Sequence, residues 1–556
     1  MRRLGLALLL LLSAPALWAS QPPVESPTFM VVSAQSLASE AGAGILRTGG
    51  NAIDAAVAVG YALAVVDPCC GNLGGGGFMT AVLADGRKLA LNFRETAPAA
   101  ATPNMYLDAE GELIPGASLY GWRAVAVPGT VLGLDTALAK YGTLSRETVM
   151  APAIRLARDG FTLTRFDSDI IARGAPWLRR DPNAARIFLR DDGSALQAGD
   201  RLVQPELAKT LADIAAQGPD AFYQGRIPQA VQAAAQSAGG SLTAADFAAY
   251  SVSEAEPLEC TYRGYTFLSM PPPSSGGVTM CEILSILEGY DMHALGFHSA
   301  ASVHLTAEAM RFAYRDRNTE LGDPAFVANP IGRLLSKDYA ASIRAQIGER
   351  ATPSSELPAV GAQEKHETTH YSVIDGAGNA VAVTYTINGN FGAGVIADGT
   401  GFLLNDEMDD FAAKPGVPNL FGLVQGAPNA IAPGKRPLSS MAPTVVMHDG
   451  KVRMVLGSPG GARIITITLE VAINIIDYGM SPQEAVDAPR LHHQWLPDEL
   501  FAEPLALTPD TADRLRAMGY RITQQFPWGA SELIVTGPPL IGASDSRRPA
   551  GAAVGE

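Results

Sequence analysis

The stretch His366-Glu367-Thr368-Thr369-His370-Tyr371-Ser372 supports two incompatible chemistries. Read as H-E-x-x-H on a helix, it would set two imidazoles one turn apart to bind zinc, with Glu367 beside them as base. Read as a scissile Glu367–Thr368 bond, it would release an N-terminal threonine. The hydroxyl of such a threonine is the nucleophile and its own α-amine is the general base. The residues that follow oppose the helix. Tyr371-Ser372-Val373-Ile374-Asp375 is rich in strand formers, Gly376-Ala377-Gly378-Asn379 is a turn, and Ala380 to Asn388 alternates large and small side chains. No His or Glu follows at a spacing that supplies a third zinc ligand. Neither a metal nor a cofactor is expected.

A hairpin at this point has a geometric consequence. A four-residue loop pairs Asp375 with Ala380 and Thr368 with Ile387. A loop one residue shorter or longer sets Thr386 or Asn388 opposite Thr368 instead. In each case Thr368, Thr386 and Asn388 converge at the open end. An N-terminal threonine needs no His–Asp partner, which agrees with the lack of a G-x-S-x-G elbow. The amine exists only after the Glu367–Thr368 bond is cut, so the precursor should be inactive.

Several long motifs surround this hairpin in a fixed order. They are Gly71-Asn72-Leu73-Gly74-Gly75-Gly76-Gly77-Phe78-Met79, Phe93-Arg94-Glu95-Thr96-Ala97-Pro98, Pro271-Pro272-Pro273-Ser274-Ser275-Gly276-Gly277, Leu404-Asn405-Asp406-Glu407-Met408-Asp409-Asp410-Phe411, Arg436-Pro437-Leu438-Ser439-Ser440-Met441 and Gly457-Ser458-Pro459-Gly460-Gly461. With Thr368 to Asn388, they closely resemble the bacterial γ-glutamyltranspeptidases, a family of N-terminal nucleophile hydrolases. The resemblance runs from about residue 28 to about residue 547. It implies an α+β fold, a four-layer αββα sandwich. It also implies self-cleavage at Glu367–Thr368 into a helix-rich large subunit, 20–367, and a small subunit, 368–556, carrying the nucleophile and most of the site. The two subunits would form one intertwined heterodimer. The implied activity is that of a γ-glutamyltransferase and glutathione hydrolase. It cleaves the γ-glutamyl amide of glutathione and related compounds through an ester on Thr368. The acyl group then passes to water or to amino-acid and peptide acceptors.

The resemblance also assigns roles. Gly460 and Gly461, which alone read as a tight turn, become oxyanion donors at a helix N-terminus. Arg94 offers a bidentate fork to the substrate α-carboxylate, with Ser439 and Ser440 adding donors. Asn388, Glu407 and Asp410 accept from the α-ammonium. Thr386 orients Thr368 by a hydrogen bond. The loop from Ala412 to Lys435 is expected to be a lid carrying Phe421 over the site. Two positions depart from the family pattern: relatives often have Gln at position 407, and commonly Tyr at 421, whose hydroxyl could tie the lid to Asn388. Three rival readings are a related acylase taking glutaryl-type side chains, the zinc protease, and an unprocessed exported binding protein. An acylase substrate of that kind lacks the α-ammonium and would leave Glu407 and Asp410 without a partner.

Composition bounds the rest. Arg2-Arg3, the apolar run Leu4–Leu12 and the small residues ending at Ala19 read as a secretory leader, residues 1–19, with Ala16 as the alternative cleavage point. The run is too short for a membrane span. A periplasmic or secreted protein is therefore expected. The net charge of −15, or −17 without the leader arginines, argues against a nucleic-acid partner. Four cysteines make no scaffold; a Cys260–Cys281 bridge and buried free thiols are both compatible with their spacing. Length suggests about three to four domains, but no linker or repeat divides the chain. Gly74–Gly77 lacks the Lys-Ser/Thr ending of a phosphate loop and reads as close backbone packing. His492-His493 reads as structural.

The elements that must position these residues follow a helix-first pattern. Asn51 caps a helix to about Val65, and Thr130–Tyr141 forms another that stops at Gly142. Strands are expected at 370–375, 380–387, 443–448 and 452–457, with helix returning at 463–478. The terminal run from Arg547 to Glu556 reads as a frayed tail.

Overall fold

The computed structural model describes residues 22–354 and 368–556. The leader and both His366 and Glu367 lie outside the described residues. Two seven-stranded sheets stack face to face. The first runs in the order Ala552–Gly555, Met30–Ser33, Thr369–Ile374, Ala380–Thr386, Gly76–Val82, Lys88–Phe93, Ser253–Ala255. The second runs Val24–Ser26, Leu540–Ser544, Glu532–Val535, Lys451–Leu456, Thr444–His448, Tyr265–Ser269, Leu258–Tyr262. Neighbouring strands in both are antiparallel.

Alternation along the strands builds the layers. Val32, Ala380, Ala382 and Ile374 meet Val445, Val455, Leu268 and Ile534 between the sheets. Their neighbours Val31, Val373, Val381 and Val383 point the other way, into the helices Ser36–Arg47, Ala52–Val66 and Thr130–Tyr141. Phe267, Val446, Met454 and Leu456 cover the outer face of the second sheet against Gly276–Leu287, Ala300–Glu320 and Ile464–Ile476. The result is the four-layer αββα sandwich. Ala52–Val66 is buried along its whole length, which its run of small residues permits, and Asn51 starts it with a capping box.

The structure settles the loop length and the cysteine state, which the sequence left open, and corrects two expectations. The hairpin pairs Ile374 with Ala380 and Thr369 with Tyr385, so its loop has five residues. Asp375 is drawn into that loop because its carboxylate accepts from the backbone of Ala377 and Asn379, and its own N–H reaches the Asn379 carbonyl. Continuing the register sets Thr368 across from Thr386. The tail is not frayed: Ala552–Gly555 adds a strand beside Met30–Ser33, and Arg547 and Arg548 are anchored by ion pairs. The cysteines are bridged as Cys69–Cys70 and Cys260–Cys281. Finally, the first half is not merely helical. Met30–Ser33, Gly76–Val82 and Lys88–Phe93 flank the hairpin, so segments from before and after residue 367 alternate within one sheet.

His370 lies in a strand, not a helix, with Nδ1 2.8 Å from Thr384 Oγ1 and Nε2 3.2 Å from Ser372 Oγ. Both ring nitrogens are taken up by hydroxyls, which leaves no lone pair for zinc. His492 and His493 are buried, and His492 bridges Thr466 and Gln494. No helix among the described residues is long and apolar enough to cross a membrane.

Candidate active site

Thr368 sits at the start of the hairpin, 3 % exposed, in a narrow pocket at one end of the sheets. Thr386, Asn388, Arg94, Glu407, Asp410, Phe421, Ser439, Ser440 and Gly461 line the same pocket. These residues come from positions more than three hundred apart in the chain, and the packing that gathers them is close. A Cβ on Gly75 would lie 1.8 Å from the Thr386 carbonyl oxygen, so the glycine run is what lets the strand beside the hairpin approach. The Asn405 side chain fastens that run to the acidic segment: its amide donates to the carbonyls of Gly74 and Ala126, and its oxygen accepts from Glu407 N–H at 3.0 Å. Asn388 takes a positive φ of 74°, which Asn tolerates. Its N–H donates to Thr386 Oγ1 at 2.8 Å and its amide to the Asp406 carbonyl at 3.1 Å. The Thr386 hydroxyl is thus an acceptor for Asn388.

The charged wall is fully buried. Arg94 pairs with Glu407 and Asp410, lies 3.5 Å from Glu95, and donates from Nε to the Pro437 carbonyl at 3.2 Å. It therefore faces the two carboxyls expected to hold an ammonium. Burial pushes Glu407 well above the ordinary carboxylate range and raises Asp410, against the pull of Arg94. Burial also lifts Glu95 to about 7.

Arg317, which the sequence reading missed, completes this wall. It lies on the helix Ala300–Glu320, donates to Ser440 Oγ at 2.9 Å and Ser275 Oγ at 2.9 Å, and with Arg94 opposes the burial that raises the neighbouring Asp410 carboxyl. Burial brings its own value down to about 10. In sequence it sits within Arg315-Asp316-Arg317, a run that looks like a solvated helix face. The motif Pro271–Gly277 packs here too, since Ser275 N–H donates to the Ser439 carbonyl at 2.8 Å.

Gly460 and Gly461 follow the strand Lys451–Leu456 and precede the helix Ile464–Ile476 through a short 3-10 turn. Their φ values of 139° and 54° are ones that side-chain-bearing residues avoid. Gly461 faces the pocket, and Gly460 faces a larger groove beside it. Phe421 touches both spaces. It is buried, and a Cβ on Gly461 would lie 2.4 Å from its ring. The loop that carries it is tied down along its middle: Gln425 and Asn429 donate to the Asp410 carbonyl, and Gln494 donates to the Phe421 carbonyl. Arg548 donates to the Thr368 carbonyl at 3.3 Å while pairing with Asp67 at 3.1 Å. It was invisible to the sequence reading, which took its segment for a tail.

Comparison with known proteins agrees with this arrangement. The gamma-glutamyltranspeptidase family model matches residues 38–555. The glutathione hydrolase proenzyme of Pseudomonas sp. (strain A14) is 54 % identical over 97 % of this chain and 96 % of its own length. The glutathione hydrolase proenzyme of Escherichia coli (strain K12) is 50 % identical over 94 % and 91 %. Among solved structures, the cephalosporin acylase from Bacillus halodurans superposes with a TM-score of 0.86 at 28 % identity, covering 99 % of both chains. With a family model spanning nearly its whole length and relatives at half identity, this chain belongs to the γ-glutamyltranspeptidase family.

Proposed function

We propose that Thr368 is the nucleophile of a self-processing γ-glutamyl transfer site. The protein is a γ-glutamyltransferase and glutathione hydrolase made as a precursor. The observation that carries the residue-level reading is the convergence of Thr368 with two guanidiniums and a set of carboxyls in one buried pocket. A γ-glutamyl group presents an α-carboxylate and an α-ammonium. Arg94, with Ser439 and Ser440, receives the first. Asp410, Glu407 and Asn388 receive the second. Substrate charges then replace the Arg94–carboxylate pairs present in the empty pocket, so no buried charge is left alone.

Thr368 Oγ1 first attacks the carbonyl of Glu367, so that the Glu367–Thr368 C–N bond breaks, the α-amine takes the hydroxyl proton and an ester forms at Oγ1; water then hydrolyses that ester, which leaves Glu367 as a free carboxylate and Thr368 with both hydroxyl and amine. That amine, with a reference pKa near 8, takes the proton of Thr368 Oγ1 as the hydroxyl attacks the γ-glutamyl carbonyl. The N–H groups of Gly460 and Gly461 receive the oxyanion. The amine returns the proton to the departing nitrogen, and water or an acceptor amine releases the ester. Thr386 fixes the Asn388 turn beside the nucleophile.

Cleavage at Glu367–Thr368 gives subunits 20–367 and 368–556. Their strands alternate in the first sheet, which supports an inseparable heterodimer. The leader-like sequence of residues 1–19 and two bridged cysteine pairs support a periplasmic location. The acylase reading shares the scaffold, but the carboxyls of Glu407 and Asp410 argue for an ammonium in the pocket. Intact mass with N-terminal sequencing, followed by turnover of a γ-glutamyl anilide, tests the proposal. Two chains, the smaller beginning at Thr368, with turnover are expected. A single active chain would overturn it.

A further inference from the structure

Phe421 lines both the pocket and, with Gly460, a neighbouring groove of about 1370 Å³, larger than a typical small-molecule site. Its two walls abut the two halves of the catalytic apparatus. One wall is the helix Arg165–Leu178, where Gly174 fits against Phe391, so that a Cβ there would lie 2.3 Å from the ring. Phe391 is three residues beyond Asn388. The other wall is the segment 524–529, where a Cβ on Gly529 would lie 2.9 Å from the Pro459 carbonyl, one residue before Gly460. The groove thus borders the Thr368 pocket at Phe421.

The chemistry of the walls is distinct from that of the pocket. Phe526 stands 92 % exposed on the groove, an apolar ring with nothing to cover it. Phe166 and Trp177 rise from the facing helix. Of the groove arginines, Arg547 is held by Glu503 and Asp545, and Arg548 by Asp67. Arg173 lines the groove with no hydrogen-bond or ion-pair partner among the described residues. An unpaired guanidinium beside aromatic rings is complementary to a carboxylate next to an aromatic side chain.

We infer that this groove seats the amine-side half of the reaction, and that it selects peptides with an aromatic side chain and a free C-terminal carboxylate. Arg173 takes the carboxylate, and Phe526 packs on the ring. The inference rests on the γ-glutamyl transfer reading above and names its acceptor class. In the transfer step the peptide's amine nitrogen bonds to the γ-carbonyl carbon and the ester bond to Thr368 Oγ1 breaks. The proton lost by the nitrogen ends on that oxygen. The leaving peptide of the donor occupies the same groove in the reverse sense.

The test uses the processed enzyme with a γ-glutamyl anilide donor and three acceptors: Gly-Phe, Gly-Gly and the C-terminal amide of Gly-Phe. Ratios within each variant are compared, so a general loss of activity cancels. In the wild type Gly-Phe should exceed Gly-Gly by about threefold to tenfold in kcat/KM, and amidation should lower it about fivefold. Arg173→Ala should abolish the amidation effect, and Arg173→Lys should keep most of it. Phe526→Ala should bring Gly-Phe down to Gly-Gly while the amidation effect persists. A wild type indifferent to amidation, or an Arg173→Ala variant that still discriminates, overturns the groove assignment alone. Absence of any γ-glutamyl turnover overturns it together with the reading on which it rests.

Discussion

The pocket and the groove share a boundary and differ in almost every other respect. The pocket is small, about 20 Å³ when empty, and its charges are sealed against one another. The groove is open, aromatic and nearly seventy times larger, with an exposed guanidinium on its wall. The difference follows from what each must recognise. A γ-glutamyl head is always the same zwitterion, so its site can be desolvated and prearranged. Buried charges interact strongly there and are costly to leave unmatched. The amine-side half varies, and screening at an exposed groove limits each contact to a modest effect.

The largest expected effect tests whether the pocket holds the chemistry at all. Thr368→Ala should remain one chain and show no turnover, because the substitution removes both the nucleophile of processing and that of catalysis. Denaturing gel analysis and intact mass read the first, and anilide release reads the second. Two chains divided between 367 and 368 in this variant would assign the cleavage to another agent.

The next effect tests the charge contrast directly. Arg94→Ala or Asp410→Ala leaves a buried partner unmatched, at roughly 2–5 kcal/mol. Each variant should still process but lose at least about a hundredfold in kcat/KM for a γ-glutamyl anilide. Arg173→Ala, on the groove, should lose far less. If the two sites responded alike, the distinction between a sealed pocket and a screened groove would fail.

These two sites were also unequally legible in the sequence. The pocket residues lie in long motifs that the family resemblance identifies and to which it assigns roles; taken singly, the acids and serines read as solvated surface and Gly460-Gly461 as a tight turn. The strands Thr369–Ile374 and Thr444–His448 and the small-residue helix after Asn51 were readable from residue types, but the αββα layering came from the family resemblance alone. The strand Gly76–Val82 was missed because its glycines suggest a turn, although they are there to let Thr386 come close. Arg317 and Arg548 were missed because an arginine in a charged helix run, or near a chain end, carries no local sign of burial. The sequence left the hairpin register open by one residue because the side chain of Asp375, not the number of turn residues, sets the loop. The groove has no motif at all; only the tertiary packing of Gly174 and Gly529 reveals it.

Burial also separates the groups around the pocket by their response to pH. Burial lowers His370 to about 3, from an ordinary 6.5. Between those values the unfolded chain binds a proton that the folded protein refuses, so stability falls as pH drops through that window. The contribution from this one residue should be about 2 kcal/mol between about pH 6.5 and pH 5. His370→Gln can still bond to Thr384 and Ser372 but does not titrate. Chemical denaturation at the two pH values should show a smaller decline for this variant than for the wild type. An equal decline would mean that other groups govern the acid limb.

The smallest effect concerns the wall that the two spaces share. Phe421 packs on Gly461 and lines both pocket and groove, so it separates the acyl group from the space through which water and acceptors arrive. It does so by apolar contact alone. A tyrosine would add a hydroxyl beside Asn388, whose amide donates to the Asp406 carbonyl. One added hydrogen bond contributes about 0.5–1.5 kcal/mol, so its effect on closure is bounded at roughly tenfold. A tighter wall holds back water more than it holds back a peptide already seated in the groove, because the peptide is positioned by its own contacts. Phe421→Tyr should therefore raise the transfer-to-hydrolysis ratio with a dipeptide acceptor by no more than about tenfold. Product analysis at fixed donor and acceptor measures that ratio. A rise confined to peptides that fill the groove, and absent for free glycine, would tie the wall to the groove. A uniform rise would place its action on water alone, and a fall would show that Phe421 does not gate the ester.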